Sequence, residues 1–119
     1  MEKTRILLVD DEKGLTRLVK LALPQYEIRD ENDPTHALET AREFRPQLVL
    51  LDVVMPGVDG WQLLRQLEER HGSIPVIMFS GKVDEATASE AARRGADDFV
   101  GKPFDPQQLV ERAKRLVPV

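Results

Sequence analysis

Five polar side chains stand where short apolar runs end. Asp10 and Asp11 follow Ile6 to Val9, Asp52 follows Leu48 to Leu51, Ser80 follows Phe79, and Lys102 comes just beyond Val100. Carboxylates, a hydroxyl and an ammonium gathered at one place can hold a hard cation and an incoming anion together, with one carboxylate acting as nucleophile. Three carboxylates at an apolar rim repel one another, and uncompensated, at least one would take up a proton near neutral pH. A divalent cation relieves that repulsion. An all-oxygen donor set without histidine or cysteine nearby favours Mg2+, with Mn2+ as a substitute, and Lys102 supplies a fixed positive charge opposite the metal.

Singly, each residue has a plainer reading. An Asp after a strand forms turns or caps, a serine there is a satisfied loop hydroxyl, a lysine is a solvated surface charge, and the nearby Phe99 is a core aromatic. Only their joint placement signifies chemistry. That placement depends on the elements that carry them.

Short apolar runs alternate with longer stretches of helical period, the pattern of βα units around a parallel sheet. Strand 1 is expected at Arg5 to Val9. Helix 1 then turns Leu15, Leu18, Val19 and Ala22 to one face and stops at Pro24. Strand 2, near Tyr26 to Asp30, alternates apolar with charged residues, as an edge strand with one wet face would. Helix 2 opens with Asp33 as N-cap and Pro34 in the first position, turns Ala37, Leu38, Ala41 and Phe44 inward, and ends before Pro46.

Strand 3 is Gln47 to Leu51. Helix 3 runs from about Asp59 to His71 on Leu63, Leu64 and Leu67 and is closed by Gly72, with Trp61 as a packing residue at its start. Strand 4 is Pro75 to Phe79. Helix 4, about Asp84 to Arg94, has a thin face of Ala88, Ala91 and Ala92, which predicts weak anchoring and room to shift. Strand 5 is Asp98 to Val100, and helix 5 follows from the Asp105 cap and Pro106 on Leu109, Val110, Ala113, Leu116 and Val117. Its Arg112, Lys114 and Arg115 read as a solvated face. The expected fold is one flavodoxin-like (βα)5 domain over residues 1–119, a three-layer α/β sandwich whose parallel five-stranded sheet has the order 2-1-3-4-5. In such sheets ligands bind at the carboxyl ends of the strands where the order reverses, which is where the polar residues collect.

With 119 residues, 32% charged and a net charge of -4, the chain lacks the basic excess of a nucleic-acid binder, so direct nucleic-acid contact is not expected. The absence of cysteine rules out disulfides, thiolate metal sites and cysteine nucleophiles and fits a reducing cytosol. The four-residue apolar run Ile6 to Val9 suits neither a signal peptide nor a membrane span, so a cytoplasmic protein without membrane contact is expected.

Four segments together resemble the receiver domain of two-component response regulators, the CheY-like superfamily. They are Leu7-Leu8-Val9-Asp10-Asp11-Glu12, Asp52-Val53-Val54-Met55-Pro56-Gly57-Val58-Asp59-Gly60, Phe79-Ser80-Gly81, and Gly95-Ala96-Asp97-Asp98-Phe99-Val100-Gly101-Lys102-Pro103-Phe104. They span the chain in the family's order. The resemblance implies that Asp52 is the phosphoacceptor, that Asp11 and Asp52 bind Mg2+ directly and Asp10 through water, and that the backbone carbonyl of Val54 is a further ligand.

It also implies that Lys102 holds a phosphoryl oxygen, that Ser80 moves to bond another, and that Phe99 is the aromatic that turns inward behind it. Pro103 is the candidate for the family's cis peptide. Ser80 stands where Thr is commoner, Phe99 lacks the hydroxyl of a Tyr, and Val54 and Lys82 fill the variable positions that govern water access to the acyl phosphate. The implied partners are a sensor histidine kinase or phosphotransfer protein and a downstream effector. No output domain follows helix 5 in this sequence, so the effector is expected to be a separate protein or a domain of a larger regulator or hybrid kinase. A monomer is expected, with dimerisation on phosphorylation as the variant, and no enzymatic activity beyond its own phosphorylation and dephosphorylation.

Three rivals share parts of this pattern. A haloacid-dehalogenase-like phosphatase needs a second Asp two residues after its nucleophile, where Val54 stands. A flavodoxin-like cofactor module needs a Ser/Thr-rich phosphate loop where Asp10-Asp11-Glu12 would repel phosphate. A degenerate receiver that binds partners without phosphorylation is argued against by the complete set Asp10, Asp11, Asp52, Ser80 and Lys102.

Overall fold

The computed structural model describes residues 3–55, 57–72, 74–81, 85–102 and 104–118. Its elements are β1 (Arg5–Val9), α1 (Lys13–Ala22), β2 (Glu27–Glu31), a 3-10 turn (Pro34–His36) leading into α2 (Ala37–Phe44), β3 (Leu48–Asp52), the two-residue strands β4 (Val54–Met55) and β5 (Val58–Asp59), α3 (Gly60–His71), β6 (Val76–Ser80), α4 (Glu85–Arg93), β7 (Asp98–Gly101) and α5 (Pro106–Leu116). The main sheet is parallel, in the order β2-β1-β3-β6-β7. With the small β4-β5 hairpin set aside, this is the expected flavodoxin-like 2-1-3-4-5 arrangement, and the order reverses between β1 and β3.

Strand alternation divides the core into two layers. Leu7, Val9, Val49, Leu51, Val76 and Met78 pack on one face with α2, α3 and Ala91 of α4. Ile6, Leu8, Leu48, Leu50, Ile77, Phe79 and Val100 pack on the other with α1 and α5. Because successive side chains point to opposite faces, Asp10, Asp52 and Lys102 continue the rows of Leu8, Leu50 and Val100 on the α1/α5 face. Ser80 and Phe99 take the opposite parity, and Phe99 packs against the α2/α3/α4 core.

The helix starts obey local chemistry. The carboxylates of Asp33, Asp59 and Asp105 accept from the N–H of Thr35 (3.0 Å), Trp61 (2.9 Å) and Gln107 (2.9 Å), each two residues into its helical turn, and Pro34 and Pro106 need no such acceptor. Gly72 ends α3 with a φ of 72°, a conformation glycine adopts without steric cost.

Several expectations need adjustment. Leu18 faces water, 55% exposed, as does Leu21 at 73%. The buried row of α1 is Thr16 and Val19 with Leu15 and Ala22 beside it, so a polar Thr occupies the place assigned to a leucine. Ala92 is exposed, leaving Ala91 as the buried residue of α4, which makes that helix's anchor thinner still. Strands β2, β3 and β6 begin and end one residue later than read, and the β4-β5 hairpin had no counterpart. Arg112 is not merely solvated: its guanidinium pairs with Asp98 and donates to the Phe99 carbonyl at 3.4 Å. The Pro103 peptide, Lys82 and the expected start of α4 at Asp84 lie outside the described residues.

Candidate functional site

At the carboxyl end of β1, Asp10 is fully buried and held by every polar atom it has. Its N–H donates to the Glu31 carbonyl (3.3 Å), and its carbonyl accepts from Asn32 Nδ2 (2.8 Å). Its Oδ1 accepts from the Glu12 N–H (2.7 Å) and its Oδ2 from Lys102 Nζ (2.9 Å). The same Nζ donates to Asp52 Oδ2 at 2.7 Å and lies 3.5 Å from Glu12 Oε1. One ammonium thus bridges the ends of β1 and β3, with 16% of its side chain exposed.

The carboxylates of Asp10, Asp11 and Glu12 bring ligand atoms within 4.8 Å of one another, with Asp10 buried and the other two exposed. Asp52, only 4% exposed, meets them through Lys102. Ser80 is likewise buried, and its carbonyl accepts from the Lys102 N–H at 2.8 Å, which carries β7's end across to β6. Val54 pairs with Asp59 in the small hairpin directly after Asp52. The structure therefore brings Asp10, Asp11, Asp52, Ser80 and Lys102 to one rim, while Phe99 lies behind it on the other face of the sheet.

The electrostatics follow from this geometry. Burial pushes the Asp10 carboxyl above the ordinary aspartate value. The Lys102 hydrogen bond, the Glu12 N–H and the Lys102 charge oppose that rise without cancelling it, and the Asp52 charge adds to it. For Lys102, burial alone would favour the neutral amine, but hydrogen bonds to Asp10 and Asp52 and the two carboxylate charges outweigh it and hold the ammonium well above the usual lysine value. It remains charged throughout the physiological range. Three carboxyl groups, of Asp10, Glu12 and Asp52, lie within 3.5 Å of one ammonium, and Asp11 joins Asp10 and Glu12 in the acidic group. A hard dication suits such a donor set of oxygens.

Four residues of the site had gone unassigned. Glu12 joins the acidic group, and the Asp-Asp-Glu run already contained that signal. Gly60 opens α3 against the main chain of Asp52 and Val53, and its place in the Asp-Gly pair was a hint. Asn32, just past β2, braces the Asp10 carbonyl and lies 3.4 Å from the Thr16 hydroxyl of α1, and nothing in their spacing announced it.

An acidic group and a bridging lysine at the reversal point of a 2-1-3-4-5 sheet define a receiver-like α/β domain. The chain belongs to the response regulator receiver domain family, whose model matches residues 6–114. It is similar to the transcriptional regulatory protein ResD of Bacillus subtilis (strain 168), 37% identical over 97% of this chain and 48% of ResD. It is also similar to the transcriptional regulatory protein SrrA of Staphylococcus aureus (strain NCTC 8325 / PS 47), 39% identical over 94% of this chain and 47% of SrrA. The chain thus spans about half the length of these curated relatives. Among solved structures, the receiver domain of NtrX from Brucella abortus superposes with a TM-score of 0.86 at 39% identity, covering 94% of this chain and 97% of that one. Among the described residues, no helix is long and apolar enough to cross a membrane.

Proposed function

We propose that this domain is a phosphoacceptor signalling switch that takes a phosphoryl group from the phosphohistidine of a sensor kinase or phosphotransfer protein onto Asp52. The observation that carries this reading is the Lys102 ammonium, 2.7 Å from Asp52 and 2.9 Å from Asp10, beside the acidic group of Asp10, Asp11 and Glu12. A carboxylate oxygen of Asp52 forms the new bond to phosphorus as the phosphorus–nitrogen bond breaks, and its electron pair returns to the imidazole. Lys102 holds a positive charge where the transferred group's oxygens arrive, and the nucleophile is kept in a buried, oriented place.

Mg2+, or Mn2+ in its stead, would be held by Asp11 and Asp52 directly, by Asp10 through water and by the Val54 carbonyl, and when bound supplies neutralisation of charge on the phosphoryl oxygens. Glu12, close to Asp10 and Asp11, adds a further carboxylate to that set. The domain catalyses only its own phosphorylation and dephosphorylation and has no free substrate to turn over. The phosphatase rival also lacks its second Asp, since Val54 stands there.

Once attached, the phosphoryl group adds charge and acceptor oxygens that draw Ser80 inward and free space for Phe99. Moving a population from 1:99 to 99:1 takes about 5.5 kcal/mol, within reach of a few charge-assisted hydrogen bonds at about 1.5–3 kcal/mol each. The responding surface is α4, β7 and α5, whose α4 is anchored by the single buried Ala91. Through it the domain regulates an effector protein or a fused output domain. The domain is a monomer and works in the cytoplasm.

Incubation with acetyl phosphate and Mg2+ tests the reading. The expected result is a mass gain of one phosphoryl group, absent in Asp52→Asn and abolished by EDTA. No gain in the parent would favour a phosphorylation-independent interaction module.

A further inference from the structure

The first aspartate of the acidic group is held from outside the group by a residue just past the end of the neighbouring edge strand β2. The β1-β2 ladder ends at the pair Val9 and Glu31, so the Asp10 carbonyl lies one residue past the last pairing, in a fully buried position. A buried carbonyl without a donor costs about 1–3 kcal/mol. Here the donor is Asn32 Nδ2 at 2.8 Å, standing where a further main-chain N–H of the ladder would be. The same amide nitrogen lies 3.4 Å from the hydroxyl of buried Thr16 in the first turns of α1. Asn32 therefore ties together β2, the end of β1 and the start of α1. These elements flank the loop that carries Asp10, Asp11 and Glu12.

That loop has reason to spread. Its three carboxylates lie within 4.8 Å of one another, and like charges at that distance repel. The Asp10 side chain is fixed by Glu12 N–H, which belongs to the loop itself, and by Lys102, whose own place depends on Asp10 and Asp52. The Glu12 carbonyl is tied to α1 by the N–H groups of Leu15 and Thr16, but at Asp10 itself, apart from the strand ladder, Asn32 is among the described residues the brace that does not belong to the acid–lysine group. We propose that Asn32, assisted by Thr16, is a positioning residue. It sets the Asp10 main chain so that the Asp10–Glu12 loop receives the divalent cation and Lys102 is aimed at Asp52. This inference rests on the phosphoacceptor reading for its consequence and on Mg2+ binding for its test.

The test is a calorimetric titration of the folded chain with MgCl2, together with acetyl phosphate labelling and thermal melting. Asn32→Ala, and Asn32→Leu, which keeps the volume but offers no donor, are each expected to weaken Mg2+ binding and slow labelling by roughly tenfold, the usual effect of losing a partner behind a metal ligand. Thr40→Ala is the control. It removes a hydrogen bond to Glu31 (2.5 Å) at the end of β2 without touching Asp10, so it should lower the melting temperature yet leave Mg2+ affinity unchanged. Parent-like Mg2+ affinity in both Asn32 variants, or equal losses in Thr40→Ala, would overturn the proposal. A parent that binds Mg2+ but is never labelled would sink the phosphoacceptor reading alone, and the Mg2+ comparison would still decide the role of Asn32. A parent that binds no Mg2+ would sink both.

Discussion

Gly60, the first residue of α3, donates its N–H to the Val53 carbonyl at 3.1 Å and presses so closely on that main chain that a Cβ placed on it would stand 2.5 Å from the Val53 oxygen. The same Cβ would also collide with the main-chain oxygen of Asp52. The obstacles are backbone atoms, which cannot swing aside. Gly60→Ala is therefore expected to displace the start of α3 from the end of β3, costing about 1–3 kcal/mol as overpacking does. Chemical denaturation of the variant measures it, and an unchanged midpoint would refute the close approach.

Lys102 should show a split between charge and shape. Lys102→Met leaves the buried carboxylates of Asp10 and Asp52 without their shared donor, and a loss of about 1–3 kcal/mol is expected, moderated by the open rim. Lys102→Arg keeps the charge but offers a planar fork in place of a point donor. Denaturation should find it closer to the parent than the Met variant in stability. Acetyl phosphate labelling should find both impaired.

At α4 the predicted looseness has a specific counterweight. The Arg94 guanidinium lies over the Trp61 ring, 5.2 Å from its centre, while Arg94 Nε donates to Glu90 at 2.6 Å. This links the end of α4 to the start of α3. Arg94→Ala is expected to cost about 0.5–1 kcal/mol, as for an exposed cation–π pair, and to speed amide hydrogen exchange in α4 but not in α3. Equal exchange in parent and variant would show that the contact holds nothing.

The start of α2 should depend on pH with a definite sign. Hydrogen bonds from the Thr35 hydroxyl and N–H hold the Asp33 carboxyl below the usual aspartate value, with a smaller opposing effect of desolvation. A group depressed on folding contributes stability that is present above its unfolded pKa and lost as pH falls through its folded pKa. The parent's advantage over Asp33→Ala, followed by urea denaturation, should thus be full at neutral pH and fade below pH about 4. An advantage that grows on acidification would contradict the capping geometry.

Much of this was legible from residue order because the sheet is buried on both faces. Continuous apolar runs such as Leu48 to Leu51 mark strands, alternation then decides their faces, and the Asp33 and Asp105 caps mark helix starts. The polar residues at strand ends followed from those boundaries. Two of the failures share one cause. Leu18 fits the helical period as well as Thr16 does, and only tertiary packing, with the Thr16 hydroxyl beside Asn32, decides which faces inward. Asn32 itself acts through an amide reaching another strand's carbonyl, a relation between elements that no local spacing encodes. The β4-β5 hairpin is likewise too short to carry a period.

The central claim is that one carboxylate, at position 52, receives the phosphoryl group. After exposure to acetyl phosphate, borohydride reduction followed by peptide mass spectrometry marks the side chain that carried the acyl phosphate. The account predicts reduction at Asp52 alone, and only when Mg2+ had been supplied. A mark on Asp10, Asp11 or Glu12, or none at all, would contradict it.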